Sequence, residues 1–237
     1  MSGLLVRINR LLGRRQSQRS FVAYDLGFHG DTYLLDLVDR LMPAIQAFIE
    51  TGTNVGTTVR YVAREYPGRP VCSCEIDRRA FEVAQETVRG FSDTHLYNLD
   101  SLSFLRTVHH TQPELLNQIN LYFLDAHGYG FRWPLKEEIA FITQTLGEAF
   151  ILVDDARVPG RDEFKYDAYD GQVCSLDYIR GSLAPGRRYT VCYPDYSEHT
   201  SPHHPLTGYM FIVYGSVAVE HLCRAVNENF RLVAIEQ

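Results

Sequence analysis

The sequence predicts an α/β fold, a three-layer sandwich with a mostly parallel sheet and a C-terminal antiparallel strand pair. Three observations carry that prediction. Short apolar runs alternate with stretches of helical period from residue 31 to residue 153. The runs are continuously apolar rather than alternating, as strands covered on both faces are. The last third changes character, to β-rich runs joined by a loop rich in Pro, His and Tyr.

Each element follows in turn. Asp31–Met42 has a capping residue at its start and Leu34, Leu35, Val38, Leu41 and Met42 on one helical face, and Pro43 closes it. Ala44–Glu50 is the first strand, followed by a glycine-bearing turn and a helix through Thr57–Tyr66. Pro67-Gly68 turns the chain into a second strand, Val71–Ile76, and then a helix, Arg78–Arg89, with Phe81, Ala84 and Val88 facing inward. His95–Leu99 is a short strand before a helix from Ser101 to Val108. Ile119–Leu124, Leu135–Leu146 and Ala149–Val153 read as strand, helix, strand. Arg188–Tyr193 and Tyr209–Tyr214 form the antiparallel pair, with Val217–Val226 a helix and Phe230–Ile235 a strand or an extended tail. Right-handed crossovers place the C-terminal ends of all parallel strands on one edge, where such sheets bind ligands.

Composition limits the partners. The chain has 237 residues, 45% hydrophobic and 22% charged, which suits one large domain that folds without disulfides or structural metal. Cys72, Cys74, Cys174, Cys192 and Cys223 are odd in number and scattered, and are expected to be buried free thiols in a reducing, cytoplasmic compartment. Net charge is -6, unevenly placed: Arg7, Arg10, Arg14, Arg15 and Arg19 stand among residues 1–20 without an acid. Removing those five arginines from 23 basic residues leaves 18 against 29 acids, and an acidic body argues against nucleic acid as a partner. Residues 1–30 are set apart as a basic segment with Leu4, Leu5, Ile8, Leu11 and Leu12 at helical spacing. It could pack on the body, on a second copy in a homo-oligomer, or on an anionic membrane surface. No apolar core of a secretory signal follows its charges, and no run approaches the roughly 20 apolar residues that span a bilayer.

The turn Glu50-Thr51-Gly52-Thr53-Asn54-Val55-Gly56, leading into Thr57-Thr58, joins an apolar strand to a helix. It is not the dinucleotide fingerprint Gly-x-Gly-x-x-Gly, and it has no lysine to grip a phosphate. It resembles motif I of class I S-adenosylmethionine-dependent methyltransferases, acidic-x-Gly-x-x-x-Gly. The resemblance covers roughly residues 44–215 and implies a Rossmann-like fold with S-adenosylmethionine held by Glu50, Gly52, Thr53, Asn54, Gly56 and Thr57. Glu75 stands 23 positions after Gly52, where the ribose-binding acid of nucleotide-binding α/β folds falls, with Asp77 better placed as a helix cap. Asp100, in Asn98-Leu99-Asp100-Ser101, stands where the family contacts the adenine amine; simple capping of the next helix is the other reading.

Two more strand ends carry acids, Leu124-Asp125-Ala126-His127 and Val153-Asp154-Asp155. Neighbouring strands lie about 5 Å apart, so these carboxylates converge and repel unless a cation lies between them. An all-oxygen donor set selects a hard ion, Mg²⁺ first. The arrangement resembles metal-dependent O-methyltransferases of the catechol O-methyltransferase type, where an Asp and an Asp-Asn pair hold Mg²⁺. The pair here is Asp154-Asp155, closer to the cephalosporin-hydroxylase-like and macrolide-sugar O-methyltransferase branch. The resemblance implies Asp125, Asp154 and Asp155 as metal ligands and a hydroxyl of a small molecule as methyl acceptor. Asp125 also borders the cofactor, as Ser101 does.

His127, with an ordinary pKa near neutrality, suits a general base, or alternatively bonds the backbone of the turn Gly128-Tyr129-Gly130. Arg157–Gln172 is placed to form a lid, and Trp133 with Phe131 and Tyr129 either lines an aromatic pocket or packs the following helix. His199, His203 and His204 belong to the loop between the last two strands, on the site's edge, and His109-His110 is expected on the solvated surface beyond a helix end. The rival functions are a cofactor-binding protein without catalysis, a NAD(P)-dependent oxidoreductase, and hydrolysis by the carboxylate cluster.

Overall fold

The computed structural model describes residues 26–127, 133–197 and 205–237. The basic segment up to residue 25, the turn Gly128-Tyr129-Gly130 with Phe131, and His199, His203 and His204 lie outside the described residues.

Asp31 caps the first helix, α1 (Thr32–Leu41), accepting from the amides of Tyr33 and Leu34. Pro43 then forces a short 3-10 turn, so the first strand, β1 (Phe48–Thr51), starts later than its apolar run. There follow α2 (Thr57–Glu65), β2 (Val71–Cys74), α3 (Arg78–Thr87), β3 (Thr94–Tyr97), α4 (Ser101–Thr111), β4 (Leu121–Leu124), α5 (Leu135–Thr145) and β5 (Ala149–Val153). A small hairpin, β6 (Ala168–Tyr169) with β7 (Gln172–Val173), stands apart from the main sheet, and α6 (Leu176–Ile179) is a single turn. The chain finishes with β8 (Arg188–Pro194), β9 (Met210–Tyr214), α7 (Ser216–Ala225) and β10 (Phe230–Glu236).

The main sheet has eight strands in the order β10-β8-β9-β5-β4-β1-β2-β3. β1 to β5 run parallel, and the order reverses between β1 and β4, which opens a crevice at their C-terminal ends. β9 inserts antiparallel between β5 and β8. The expected antiparallel pair is thus extended by a third strand, because Phe230–Glu236 pairs with β8 along its whole length. β10 is the sheet edge and half exposed, which is why its sequence also reads as a tail.

Two expectations about side chains are corrected. α4 runs on to Thr111, and His109, four residues after Leu105, falls on the buried face rather than in solvent. Its ring lies 3.1 Å from the Tyr122 hydroxyl, and burial pulls it down to about 4. Four cysteines are buried and free, but Cys223 is exposed, one step off the α7 face that Ala218, Leu222 and Ala225 turn to the core.

The segment before α1 is part of the packing. Phe28 is 1% exposed and meets the rings of Phe48, Tyr61 and Phe123 edge-on. Among the described residues no helix is long and apolar enough to cross a membrane.

Candidate functional site

The glycine turn leaves β1 at the point where the sheet order reverses. Gly52 has φ +90, and a Cβ there would stand 2.4 Å from the Asp125 carbonyl oxygen. Only glycine lets the end of β1 come this close to the end of β4. Backbone then closes the turn: the amides of Gly52 and Thr53 both donate to Cys74 O, and Gly56 donates to Thr53 O. Gly56, with φ +81, caps α2 without any side-chain hydrogen bond, so the first amides of that helix face an open cleft. That cleft encloses about 590 Å³, solvent included, and is lined by Glu50, Asn54 and Thr57 on one side and Phe28, His29 and Asp125 on the other.

Acids support the turn from beneath. Glu50 is 2% exposed and accepts from Ser73 Oγ at 2.5 Å; Ser73 in turn lies 2.5 Å from Thr53 Oγ1. Burial lifts the Glu50 carboxyl to about 8 against the weaker pull of the Ser73 hydroxyl, so it is protonated at neutral pH. Glu75 ends β2 and accepts from the amides of Asn54 (2.6 Å) and Asp77 (2.8 Å), tying the turn to the start of α3. Asp77 caps α3 through Arg79 and Ala80. Asp100 caps α4, accepting from Ser103 at 2.9 Å, and Ser101 beside it is buried. The cap and the nucleoside role are compatible, since an ionised carboxylate has acceptor sites to spare.

Beyond Asp125 the character changes from backbone to charge. His127 places Nε2 3.0 Å from Asp125 Oδ1 and 3.5 Å from Asp155 Oδ2. Its Nδ1 lies 3.1 Å from Asp167 Oδ2 and 3.2 Å from the Tyr169 hydroxyl of the β6–β7 hairpin. Asp154, 5% exposed, meets His29 Nε2 at 2.7 Å. The strand-end acids lie close together, and the imidazoles of His29 and His127 stand among them. His29 comes from the segment before α1, where no strand-end pattern points; the glycines flanking it, Gly27 and Gly30, are the one signal of its unusual turn.

The charges settle each group. Burial and the Asp154 and Asp125 carboxylates push Asp155 up to about 8. Burial also raises Asp125, with Asp154 adding to it. For Asp154 burial is outweighed by the His29 charge and hydrogen bond, which hold it below the usual carboxylate range. The hydrogen bond to Asp125 lifts His127 to about 9 against burial, helped by the charges of Asp125, Asp155 and Asp167. These neighbours favour the protonated imidazole. A positive charge brought among the same carboxylates reverses that by repulsion.

A small recess lined by Trp133, Leu135, Glu138 and Cys174 adjoins the cluster. Glu138 is 1% exposed and its Oε1 finds no hydrogen-bond partner among the described residues. Burial raises it to about 7. Trp133 packs edge-on against Tyr169 and Tyr178, ring centroids 4.8 and 5.5 Å away, so it anchors the hairpin that meets His127.

No protein-family model and no curated protein matches this chain. Solved structures do. The chain is similar to the O-methyltransferase of Bacillus cereus in complex with S-adenosylhomocysteine, at 14% identity over 91% of each chain and a TM-score of 0.59. It is also similar to the O-methyltransferase of tomaymycin synthesis from Streptomyces achromogenes in complex with S-adenosylmethionine, at 16% identity, 89% of this chain and 95% of that one, and a TM-score of 0.54. The shared feature is the Rossmann-like fold.

Proposed function

We propose that the chain is an S-adenosylmethionine-dependent methyltransferase acting on a hydroxyl of a small molecule, with a divalent cation at the strand-end acids. The observation that carries this reading is the meeting of two unlike half-sites at Asp125. One is a cleft with bare helix amides and a buried glutamic acid; the other is a carboxylate–imidazole cluster. The fold is one that in Bacillus cereus and Streptomyces achromogenes O-methyltransferases holds S-adenosylhomocysteine or S-adenosylmethionine.

Each group fits what the residues offer. The bare amides of α2 suit the cofactor's carboxylate, Glu75 the ribose hydroxyls, and Asp100 with Ser101 the adenine amine. Glu50, Gly52, Thr53, Asn54 and Thr57 form the floor and wall of that cleft. For the cation, the fit rests on the donor set: ligand atoms of Asp125, His127 and Asp155 lie within 4.8 Å of one another, and so do those of His29, Asp154 and Asp155. Asp125, Asp154 and Asp155 would hold it.

S-adenosylmethionine would supply the methyl group, and the cation a charge that makes the acceptor hydroxyl acidic. The chain's own part is alignment and proton removal. The β6–β7 hairpin reaches His127 through the Tyr169 hydroxyl. Asp167 and Tyr169 fix the imidazole by Nδ1, leaving Nε2 toward the Asp125 side, where it takes the hydroxyl proton. Alignment of oxygen and methyl is a proximity effect of the kind that supplies about 7–11 kcal/mol.

The test has two arms. Calorimetric titration with S-adenosylhomocysteine is expected to show one site per chain, which NAD does not fill. Transfer of labelled methyl to catechols and sugar hydroxyls is expected to need Mg²⁺ or Mn²⁺ and to stop with a chelator. Absence of S-adenosylhomocysteine binding would sink the reading; binding with no turnover on any hydroxyl would leave a cofactor-binding protein.

A further inference from the structure

The cluster contains one residue that no strand end delivers. His29 is 125 positions from Asp154 in sequence, yet its Nε2 lies 2.7 Å from Asp154 Oδ2. Four successive residues put it there, Gly27 (φ 66), Phe28 (φ 42), His29 (φ 56) and Gly30 (φ 70). Left-handed backbone at two non-glycine residues persists only where surrounding structure over-determines it. Here the Phe28 ring supplies that constraint, seated among Phe48, Tyr61 and Phe123. The same short strap therefore buries a ring on one side and presents an imidazole to Asp154 on the other.

Resting on the metal reading above, we infer that His29 is a direct ligand of the divalent cation through Nε2. The centre is then a mixed nitrogen–oxygen site, shared with Asp154 and Asp155, that prefers Mn²⁺, Co²⁺ or Zn²⁺ to Mg²⁺. Two donors cis on one ion at about 2.1 Å stand about 3 Å apart, near the 2.7 Å seen between His29 Nε2 and Asp154 Oδ2. All three ligand atoms lie within 4.8 Å of one another, the span of one coordination sphere. Carboxylates alone suit Mg²⁺ and Ca²⁺, whereas an imidazole shifts preference toward the later divalent metals. His127 is not needed for this set: its Nδ1 is engaged by Asp167 and Tyr169, and its Nε2 faces Asp125.

Pulsed electron paramagnetic resonance of the full chain loaded with Mn²⁺ reads directly bound nitrogen. The wild type is expected to show imidazole nitrogen modulation that disappears in His29→Ala and His29→Gln and survives in His127→Ala. Displacement of Mn²⁺ by Mg²⁺ is expected to become at least about tenfold easier in His29→Ala. His29→Gln keeps a polar group against Asp154, and circular dichroism with thermal denaturation of each variant verifies that the fold is intact. Nitrogen modulation that persists without His29, or a wild type that binds Mn²⁺ through oxygen alone, overturns the inference and leaves the metal reading standing. A wild type that binds no Mn²⁺, or an Asp155→Asn variant that binds it equally well, removes the metal reading and this inference together.

Discussion

On one side of the crevice between β1 and β4, the turn from Thr51 to Gly56 is held by main-chain hydrogen bonds to its neighbour β2 and by a Gly52 contact too close for a side chain. On the other, Asp125, His127, Asp154, Asp155, Asp167 and His29 are held by one another's charge. The first half is a shape that exists before any ligand arrives. The second half carries four acids against two imidazoles and stays together by lifting Asp155 and His127 far from their ordinary values. Backbone geometry confers rigidity, while charge crowding leaves a site whose protonation sets its state.

The largest effect is expected where the two halves touch. Gly52→Ala puts a Cβ 2.4 Å from the Asp125 carbonyl at φ +90, and should cost about 3 kcal/mol or more from crowding and left-handed strain together. Urea denaturation measures it; a loss under about 1 kcal/mol would mean the joint can open.

Next come the variants that separate the halves. Asp125→Asn should lower metal-dependent transfer at least about a hundredfold, about 2.7 kcal/mol, while S-adenosylhomocysteine affinity stays within a few-fold. Glu75→Gln should do the reverse, weakening S-adenosylhomocysteine about tenfold because one of the two carboxylate oxygens that accept from backbone amides is lost, with Mn²⁺ binding unchanged. If both variants damaged both measurements, the two halves would be one coupled site.

The pH dependence of stability probes the rigid half alone. Burial first, and only then its neighbours, sets the Glu50 carboxyl near 8 against 4.5 for the free group. The folded protein keeps a proton that the unfolded chain releases between those values. The contribution is complete below about 4.5 and is lost as pH rises through about 8. Glu50→Gln, which keeps the neutral shape at every pH, should flatten the stability curve in that window by up to about 1.4 kcal/mol per pH unit. Parallel curves for the two proteins would place the Glu50 proton elsewhere.

The smallest expected effect is at Asp100. Asparagine caps a helix as well as aspartate, so Asp100→Asn should hold stability within about 0.5 kcal/mol. If the carboxylate also meets the adenine amine, S-adenosylhomocysteine binding weakens several-fold; unchanged affinity would leave Asp100 a cap only.

Much of this was legible in the chain. Four of the five parallel strands come from apolar runs that need no long-range information to recognise, and the turn at Gly52 is contiguous in sequence; β3, Thr94–Tyr97 at the sheet edge, is only half-buried. The strand-end acids are legible for the same reason: crossover handedness sends every strand end to one edge. Misreadings arose where a residue's fate depends on which face of an element it occupies. His109 was one extra helical turn from the surface, and Cys223 one position off a buried face. β10 carries the weak alternation of an edge strand, which only its partner β8 makes unambiguous.

By itself the sequence determined the order of strands and helices, the glycine turn and the row of acids, because these depend on local period and chain direction. Only the tertiary structure decided what stands between the acids. His29 reaches Asp154 across 125 positions, and Asp167 and Tyr169 reach His127 by a hairpin folded back over the sheet edge. No local pattern encodes those meetings, since they follow from where a buried Phe28 and a packed Trp133 fix the backbone. The protonation of His127 and Asp155 follows in turn from that crowding, because the energy of a charge depends on its neighbours in space rather than in sequence.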